Sequence, residues 1–163
     1  MTIAIDSNKI VYAAVGTLEL GGTDLGPTTE DGVTIRSDQT YQKFYVDQQK
    51  TPVKNTLTER SYMIETTLAH SHIANLHKAL NLGASALSVS SLTLDDSEAA
   101  LATLKVIVPT TYSGSRTYLF DSVRVVSNLQ ITHKKKDNPA LLPVTFEALY
   151  STTSSRNGIV GDA

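Results

Sequence analysis

The stretch from Gly32 to Leu68 constrains the fold more than any other part of the chain. It reads GVTIRSDQTYQKFYVDQQKTPVKNTLTERSYMIETTL and predicts two long strands joined by a polar connection, Asp47 to Asn55. Successive side chains of a strand point to opposite faces. Val33 and Ile35 share one face, but the apolar residues at the end of the first strand fall on both. About 15 extended residues span on the order of 50 Å, so we expect this ribbon to leave its own core and meet a neighbour.

The composition describes a globular chain with a hydrophobic core. Of its 163 residues 40% are hydrophobic and 18% are charged, which is typical of one folded domain. A net charge of -2 argues against a protein whose main task is to grip nucleic acid. The chain has no cysteine, so disulfides and cysteine-based zinc sites are excluded. We expect no signal peptide and no membrane span.

The remaining sequence predicts a mainly-β fold with one helix. Residues 71–82, SHIANLHKALNL, carry one apolar stripe and predict an α-helix capped by Ser71 and ended by Gly83. The segment 84–94 is open between a weak strand and an extended loop. Further strands are predicted over 10–20, 101–108, 116–126 and 142–150, the last with the clearest alternation. The polar tail, 151–163, is expected to stay unstructured on its own.

No group of residues predicts catalysis or metal binding. The histidines are His70, His72, His77 and His133. Positions 72 and 77 are five apart, which turns them off a common helix face, and zinc needs converging ligands. The sequence lacks a nucleophile elbow, a phosphate loop and a paired general acid and base. We therefore expect no enzymatic activity, no metal and no cofactor, and we read Lys134–Lys136 as a solvated hairpin tip.

The order of these elements, together with three segments, resembles the tail tube (major tail) proteins of long-tailed bacteriophages. The segments are Leu25–Ile35 (LGPTTEDGVTI), Thr56–Leu82, and Lys135–Tyr150, which closes with LPVTFEALY. The resemblance covers nearly the whole chain as a pattern, and none of these segments is a catalytic signature. It implies a β-sandwich or small barrel with one flanking helix and a long protruding β-hairpin. Residues 1–150 would form this single domain.

The resemblance also implies a function. Such subunits form hexameric rings that stack into a tube, through which DNA passes into the host. The implied partners are other copies of the chain and the tape-measure, tail-terminator and tail-tip proteins, and the implied location is the virion tail, assembled in the bacterial cytoplasm. The predicted contacts between subunits or rings are Tyr41, Phe44, Tyr45, Asp47, Gln48, Gln49, Lys50, Pro52, Lys54 and Leu57. Candidates for the channel lining are Asp38, Lys43, Glu59 and Glu65, and their register is open.

Two other functions remain open at the level of sequence. The inner tubes of contractile tails and of type VI secretion systems share the architecture and would use the same ribbon. A β-sandwich module that binds carbohydrate or protein is an alternative of another class. The chain has no tryptophan, and its tyrosines show no stacking platform along the sequence. A binding module also needs no long ribbon, so the tube subunit is the preferred hypothesis.

Overall fold

One antiparallel sheet and one α-helix form the fold of this computed structural model. The structure describes residues 16–47, 51–69, 72–88, 91–94, 97–110, 114–126 and 141–162. Over these residues the expectation of a mainly-β fold with one helix is confirmed. The strands are β1 (Thr17–Leu20), β2 (Thr23–Asp24), β3 (Thr28–Phe44), β4 (Lys54–Leu68), β5 (Ala102–Thr110), β6 (Gly114–Val125), β7 (Leu142–Ala148) and β8 (Gly158–Asp162). The helix is α1 (Ile73–Ala79), followed by a 3-10 turn at Ala84–Ala86.

The strands run in the order β2-β1-β5-β6-β7-β4-β3, and β8 pairs with β6 beside this path. The described strands thus belong to one sheet of eight strands, where the sequence predicted a sandwich or small barrel. No hydrogen-bonded pairing joins the end strands β2 and β3 within the described ranges. One hydrophobic cluster nevertheless takes side chains from β1, β4, β5, β6, β7 and α1. The sheet and the helix therefore share a single core.

Strand β7 shows the alternation of core-facing residues most clearly. Leu142, Val144, Phe146 and Ala148 are all buried, and the residues between them are more exposed. This alternation is what a strand with one face on the core requires. In β4 the same pattern holds only near the end, at Ile64 and the residues that follow it.

Helix α1 is shorter than predicted and has different caps. It begins after His72, whose Nδ1 accepts a hydrogen bond from the backbone N–H of Ala74 at 3.3 Å. It ends before Asn81, which takes the left-handed conformation (φ 55) that the sequence assigned to Gly83. Gly83 instead precedes the 3-10 turn, where a Cβ atom would lie 2.9 Å from the side chain of Ser97. The glycine is required by this close approach and does not end the helix.

The structure of the C-terminal segment differs from the expectation of an unstructured tail. It does not remain apart from the domain, because β8 pairs with β6 along its whole length. The Nε and Nη2 atoms of Arg116 donate to the two carboxylate oxygens of Asp162 at 2.6 and 3.0 Å. Asp121 accepts hydrogen bonds from Arg156 Nε at 2.6 Å and from Ser154 Oγ at 2.7 Å. The side chains of Ser154, Arg156 and Asp162 therefore have partners on β6.

Several predictions fall outside the described residues. They are the first part of the strand predicted over 10–20, the cap Ser71, the histidines His70 and His133, the lysine run Lys134–Lys136, and the contact residues Gln48, Gln49 and Lys50. The segment 84–94 contains the 3-10 turn and an isolated bridge between Leu87 and Leu92, so its described part is mostly irregular.

Candidate assembly interface

The far part of the β3–β4 hairpin projects from the domain. Every residue of 36–47 and of 51–60 is exposed, and we call these two segments the arm. The last core-facing pair before the arm is Ile35 with Ile64, of which Ile35 is half-buried and Ile64 is fully buried. At about 3.4 Å per residue, the paired part of the arm from Arg36 to Phe44 extends roughly 30 Å beyond this point. The arm is therefore a two-stranded ribbon with solvent on both faces.

The arm also has two unpaired edges. Strand β7 accompanies β4 only as far as the pair of Ala148 with Tyr62. Beyond it, β4 pairs with β3 alone, and β3 pairs only with β4, among the strands that the structure describes. Unpaired backbone N–H and C=O groups along exposed edges are the usual sites of strand addition.

A β-bulge halfway along the arm shifts the alternation of the β4 side chains between its two faces. Thr40 pairs with Glu59, but the next pair is Tyr41 with Leu57, so Thr58 is an extra residue on β4. The Thr58 hydroxyl donates to the backbone oxygen of Thr40 at 3.0 Å. Because the extra residue shifts the alternation, Leu57 lies on the same face as Tyr41. This accounts for Leu57, which looks out of phase with the rest of its strand in the sequence.

The pairing register of β3 and β4 places the candidate channel-lining residues on two different faces of the hairpin. Asp38 and Glu59 alternate with the core-facing positions, as Glu65 does, and the three share the outer face of the hairpin. Lys43 lies on the opposite face, across from Asn55. Arg36 donates from Nε to Asp38 at 3.0 Å, and its Nη1 lies 3.6 Å from a carboxylate oxygen of Glu65. The outer face thus carries three carboxylates and two cations, Arg36 and, at the end of the arm, Lys54, which pairs with Phe44.

Apolar side chains are concentrated at the end of the arm. Tyr41 is 49% exposed, Phe44 44% and Tyr45 59%, and Val46, Val53 and Leu57 are exposed as well. Of the predicted contact residues, the structure places these on the arm: Tyr41, Phe44, Tyr45, Asp47, Pro52, Lys54 and Leu57. Sequence reasoning left out Val46, which precedes the polar connection, and Val53, which lies within it. The backbone N–H of Val53 donates to the oxygen of Phe44 at 2.9 Å and brings both ends together.

An aromatic groove of about 470 Å³ lies beside the root of the arm. Tyr62 comes from β4, Phe120 from β6 and Tyr150 from the segment before β8. The rings of Tyr62 and Phe120 have centroids 6.5 Å apart and tilt by 48°. The expectation that the aromatic residues are not grouped is therefore wrong. The strand pairing brings them together from distant parts of the sequence, which periodicity does not reveal.

The two described histidines use a ring nitrogen within the fold. His77 Nε2 lies 2.9 Å from the backbone oxygen of Gly83, and His72 caps α1. Within the described ranges, the structure shows no group of three or more histidine, cysteine, aspartate or glutamate side chains arranged to hold a metal ion. None of the described helices is both long enough and apolar enough to cross a membrane.

Comparison with known proteins finds a weak likeness to solved structures. No protein-family model and no curated protein match the sequence. Among solved structures, a crystal structure of an Hcp protein aligns with 78% of this chain and 74% of its own. The identity is 14% and the TM-score is 0.26. A likeness at this level carries no functional argument, so the proposals below are based on the arm and its surroundings.

Proposed function

We propose that the chain is a self-assembling structural subunit whose arm joins neighbouring copies into a tube. The observation that carries the proposal is the exposure of every arm residue on both faces, with six large apolar side chains at its end. Within one subunit these side chains have no core to enter. Apolar surface of this kind, gathered in one place, usually marks a contact with another protein.

The unpaired edges favour contact through the backbone. A strand of a second subunit placed along β3, or along β4 beyond Tyr62, would satisfy the free N–H and C=O groups of the arm. A contact between two different surfaces of identical subunits generates a ring when its rotation closes. Stacked rings then give a tube. In its specific form, the proposal is a tail tube of hexameric rings in a long-tailed bacteriophage, with DNA passing through the channel into the host.

The charges of the arm fit such a channel if its outer face lines it. Asp38, Glu59 and Glu65 share that face with Arg36 and Lys54, so it keeps a small excess of negative charge. DNA adheres to surfaces that neutralise its phosphates, so an acidic lining would let it slide. Lys43, on the other face, would then lie away from the channel.

The proposed partners and location follow from this role. The chain would contact other copies of itself, the tape-measure protein, the tail terminator and the tail tip, in the virion tail. It would be synthesised and assembled in the cytoplasm of the bacterial host, and would have a structural and not a catalytic role. An inner tube subunit of a contractile tail or of a secretion system of that type would use the same arm.

A second candidate function rests on the aromatic groove. Tyr62, Tyr118, Phe120 and Tyr150 line it, and Tyr150 is 61% exposed. Exposed aromatic rings around a groove are suited to stacking on the apolar faces of a ligand such as a sugar. A β-module that binds carbohydrate or protein through this groove is therefore the alternative.

Electron microscopy of a shortened arm tests the first function. Residues 40–59 are replaced by an Asn-Gly turn, which leaves Gln39 and Arg60 as the last pair and closes the hairpin tightly. The shortened protein should keep the circular dichroism and melting temperature of the intact chain but form no rings or tubes in negative stain. The intact chain should form hollow particles of uniform diameter. A shortened protein that assembles as well as the intact chain would refute the proposal.

The alternative function has a separate test. Saccharides are titrated into the intact chain and into Tyr150→Ala while tyrosine fluorescence is recorded. Saturable binding that the substitution abolishes, in a chain that stays monomeric at high concentration, would favour the binding module. The tube hypothesis predicts assembly without any such ligand.

A further inference from the structure

Lys78 is a half-buried cation without a counter-ion in the described part of the chain. It lies in the last turn of α1, and no carboxylate of the described residues forms an ion pair with it. Burial lowers the pKa of its ammonium group, because the charged form loses hydration. A charge that is partly removed from water is stabilised when an opposite charge comes within contact distance.

The surroundings of Lys78 form a pocket of about 270 Å³. Leu20, Ala102 and Val123 supply part of its apolar wall, from β1, β5 and β6. The charged groups that line it are Lys78 and Arg124, and no described aspartate or glutamate does so. Arg124 lies 3.3 Å from Glu147, so Lys78 is the cation of the pocket that has no acidic partner among the described residues. The chemistry of the pocket suits a carboxylate on an apolar stem.

A matching acidic group lies at the other end of the sheet. Thr28 pairs with Leu68 and the next pair is Val33 with Thr66, so residues 29–32 of β3 oppose a single residue of β4. Glu30 and Asp31 lie in this bulge and are exposed, and neither has an ion pair among the described residues. Strand β3 is the end strand of the described sheet, so the bulge lies on an edge that pairs with no other described strand. It presents two carboxylates at the edge where a neighbour would approach.

We infer that the Glu30–Asp31 bulge of one subunit inserts into the Lys78 pocket of the next subunit. The occupant is a second copy of this chain, and the complementary charges of the two surfaces support it. The bulge lies on β3, whereas the pocket lies on the side of the sheet formed by β1, β5 and β6. The contact joins two different surfaces, as a head-to-tail ring requires. The inference rests on the proposed function and specifies one of the contacts between subunits.

Cysteine cross-linking tests the contact directly, because the chain contains no cysteine of its own. Asp31→Cys and Lys78→Cys are prepared as separate proteins, mixed under assembly conditions and oxidised. A disulfide-linked dimer should form in the mixture and in neither protein alone. The double variant should give a ladder of covalent oligomers that ends at the number of subunits in the ring. Absence of a cross-link in a mixture that assembles normally would overturn the inference.

Charge reversal gives a second, independent measurement. Lys78→Glu should raise the concentration needed for assembly by about tenfold or more, as for close charge pairs at other interfaces. Asp31→Lys should do the same, and the two substitutions together should restore much of the loss. Lys78→Arg keeps the charge and serves as the matched control, which should assemble like the wild type. Circular dichroism of each variant separates a loss of assembly from a loss of folding.

The outcomes distinguish this inference from the proposed function. If the wild-type chain stays monomeric at every concentration, the proposed function fails and the inference fails with it. If the wild type assembles and Lys78→Glu assembles equally well, the inference alone is overturned. If both single reversals impair assembly and the double variant does not recover, the two groups do not contact each other, which also overturns it.

Discussion

Replacing Tyr41 and Phe44 by serine should shift assembly to a much higher protein concentration and leave the subunit folded. Tyr41 is 49% exposed and Phe44 is 44% exposed. A large aromatic side chain covers about 150–250 Å² when fully buried, so each ring has on the order of 100 Å² left for a partner. At roughly 25 cal/mol per Å² this corresponds to about 2.5 kcal/mol per ring if a neighbour covers it completely.

The measured loss of association free energy should be smaller than the sum of the two ring contributions. Association also immobilises side chains and removes water from polar groups, so we expect about half of the total, or 2 to 3 kcal/mol, per contact. The concentration needed for assembly should then rise roughly 30- to 150-fold. Within the subunit the two rings lie on the arm and outside the core, so the free energy of unfolding should fall by about 1 kcal/mol or less.

Sedimentation velocity and negative-stain microscopy at a series of concentrations measure the shift. Leu94→Ser is the matched control, since Leu94 is 77% exposed but lies outside the arm. It should change neither assembly nor stability. Phe146→Ala should instead destabilise the subunit by about 3 to 5 kcal/mol, because that ring is buried in the core. A Tyr41/Phe44 variant that assembles at the wild-type concentration would refute the reasoning.

Three further predictions concern the C-terminal segment and the end of the arm. Gly158→Ala should release β8 and expose residues 158–162 to protease, because the added Cβ would lie 2.4 Å from a backbone oxygen of β6. Gly161→Ala is the control and should have no effect, because its added Cβ would have no atom within 4 Å. Hydrogen bonds from Arg156 and Ser154 lower the pKa of Asp121. The ionised carboxylate therefore stabilises the folded segment fully above the unfolded-state pKa, about 3.9, and this stabilisation is lost as the pH falls through the lower folded-state pKa. The protection factors of 151–157, which correct for the intrinsic pH dependence of exchange, should therefore fall in that acid range, and in Asp121→Asn they should be low and independent of pH there. Deleting Gln48–Pro52 should give a folded monomer that forms no tubes by electron microscopy, and normal tubes would contradict an assembly role for the connection.

The strands were predictable wherever one face of the chain meets the core. The alternation around Phe146 predicts β7, and the long polar ribbon predicts the hairpin. The faces of the arm were not predictable, because they depend on the extra residue at Thr58, and a bulge has no periodicity to detect. Tyr150 comes close to Tyr62 because β7 pairs with β4 as far as Ala148, which lies opposite Tyr62. Contacts of this kind arise from strand pairing over long separations, which composition and local pattern do not encode.

Lysines at the end of the arm oppose contact between two arms, although apolar side chains are concentrated there. Phe44 pairs with Lys54 on one face, and Lys43 lies next to Phe44 on the other. Two arms that pair with each other in the same orientation would bring like charges together, which opposes edge-to-edge association. A neighbour with a different surface does not meet this repulsion. The same side chains therefore disfavour contact between two arms, which is consistent with the proposed head-to-tail contact between different surfaces.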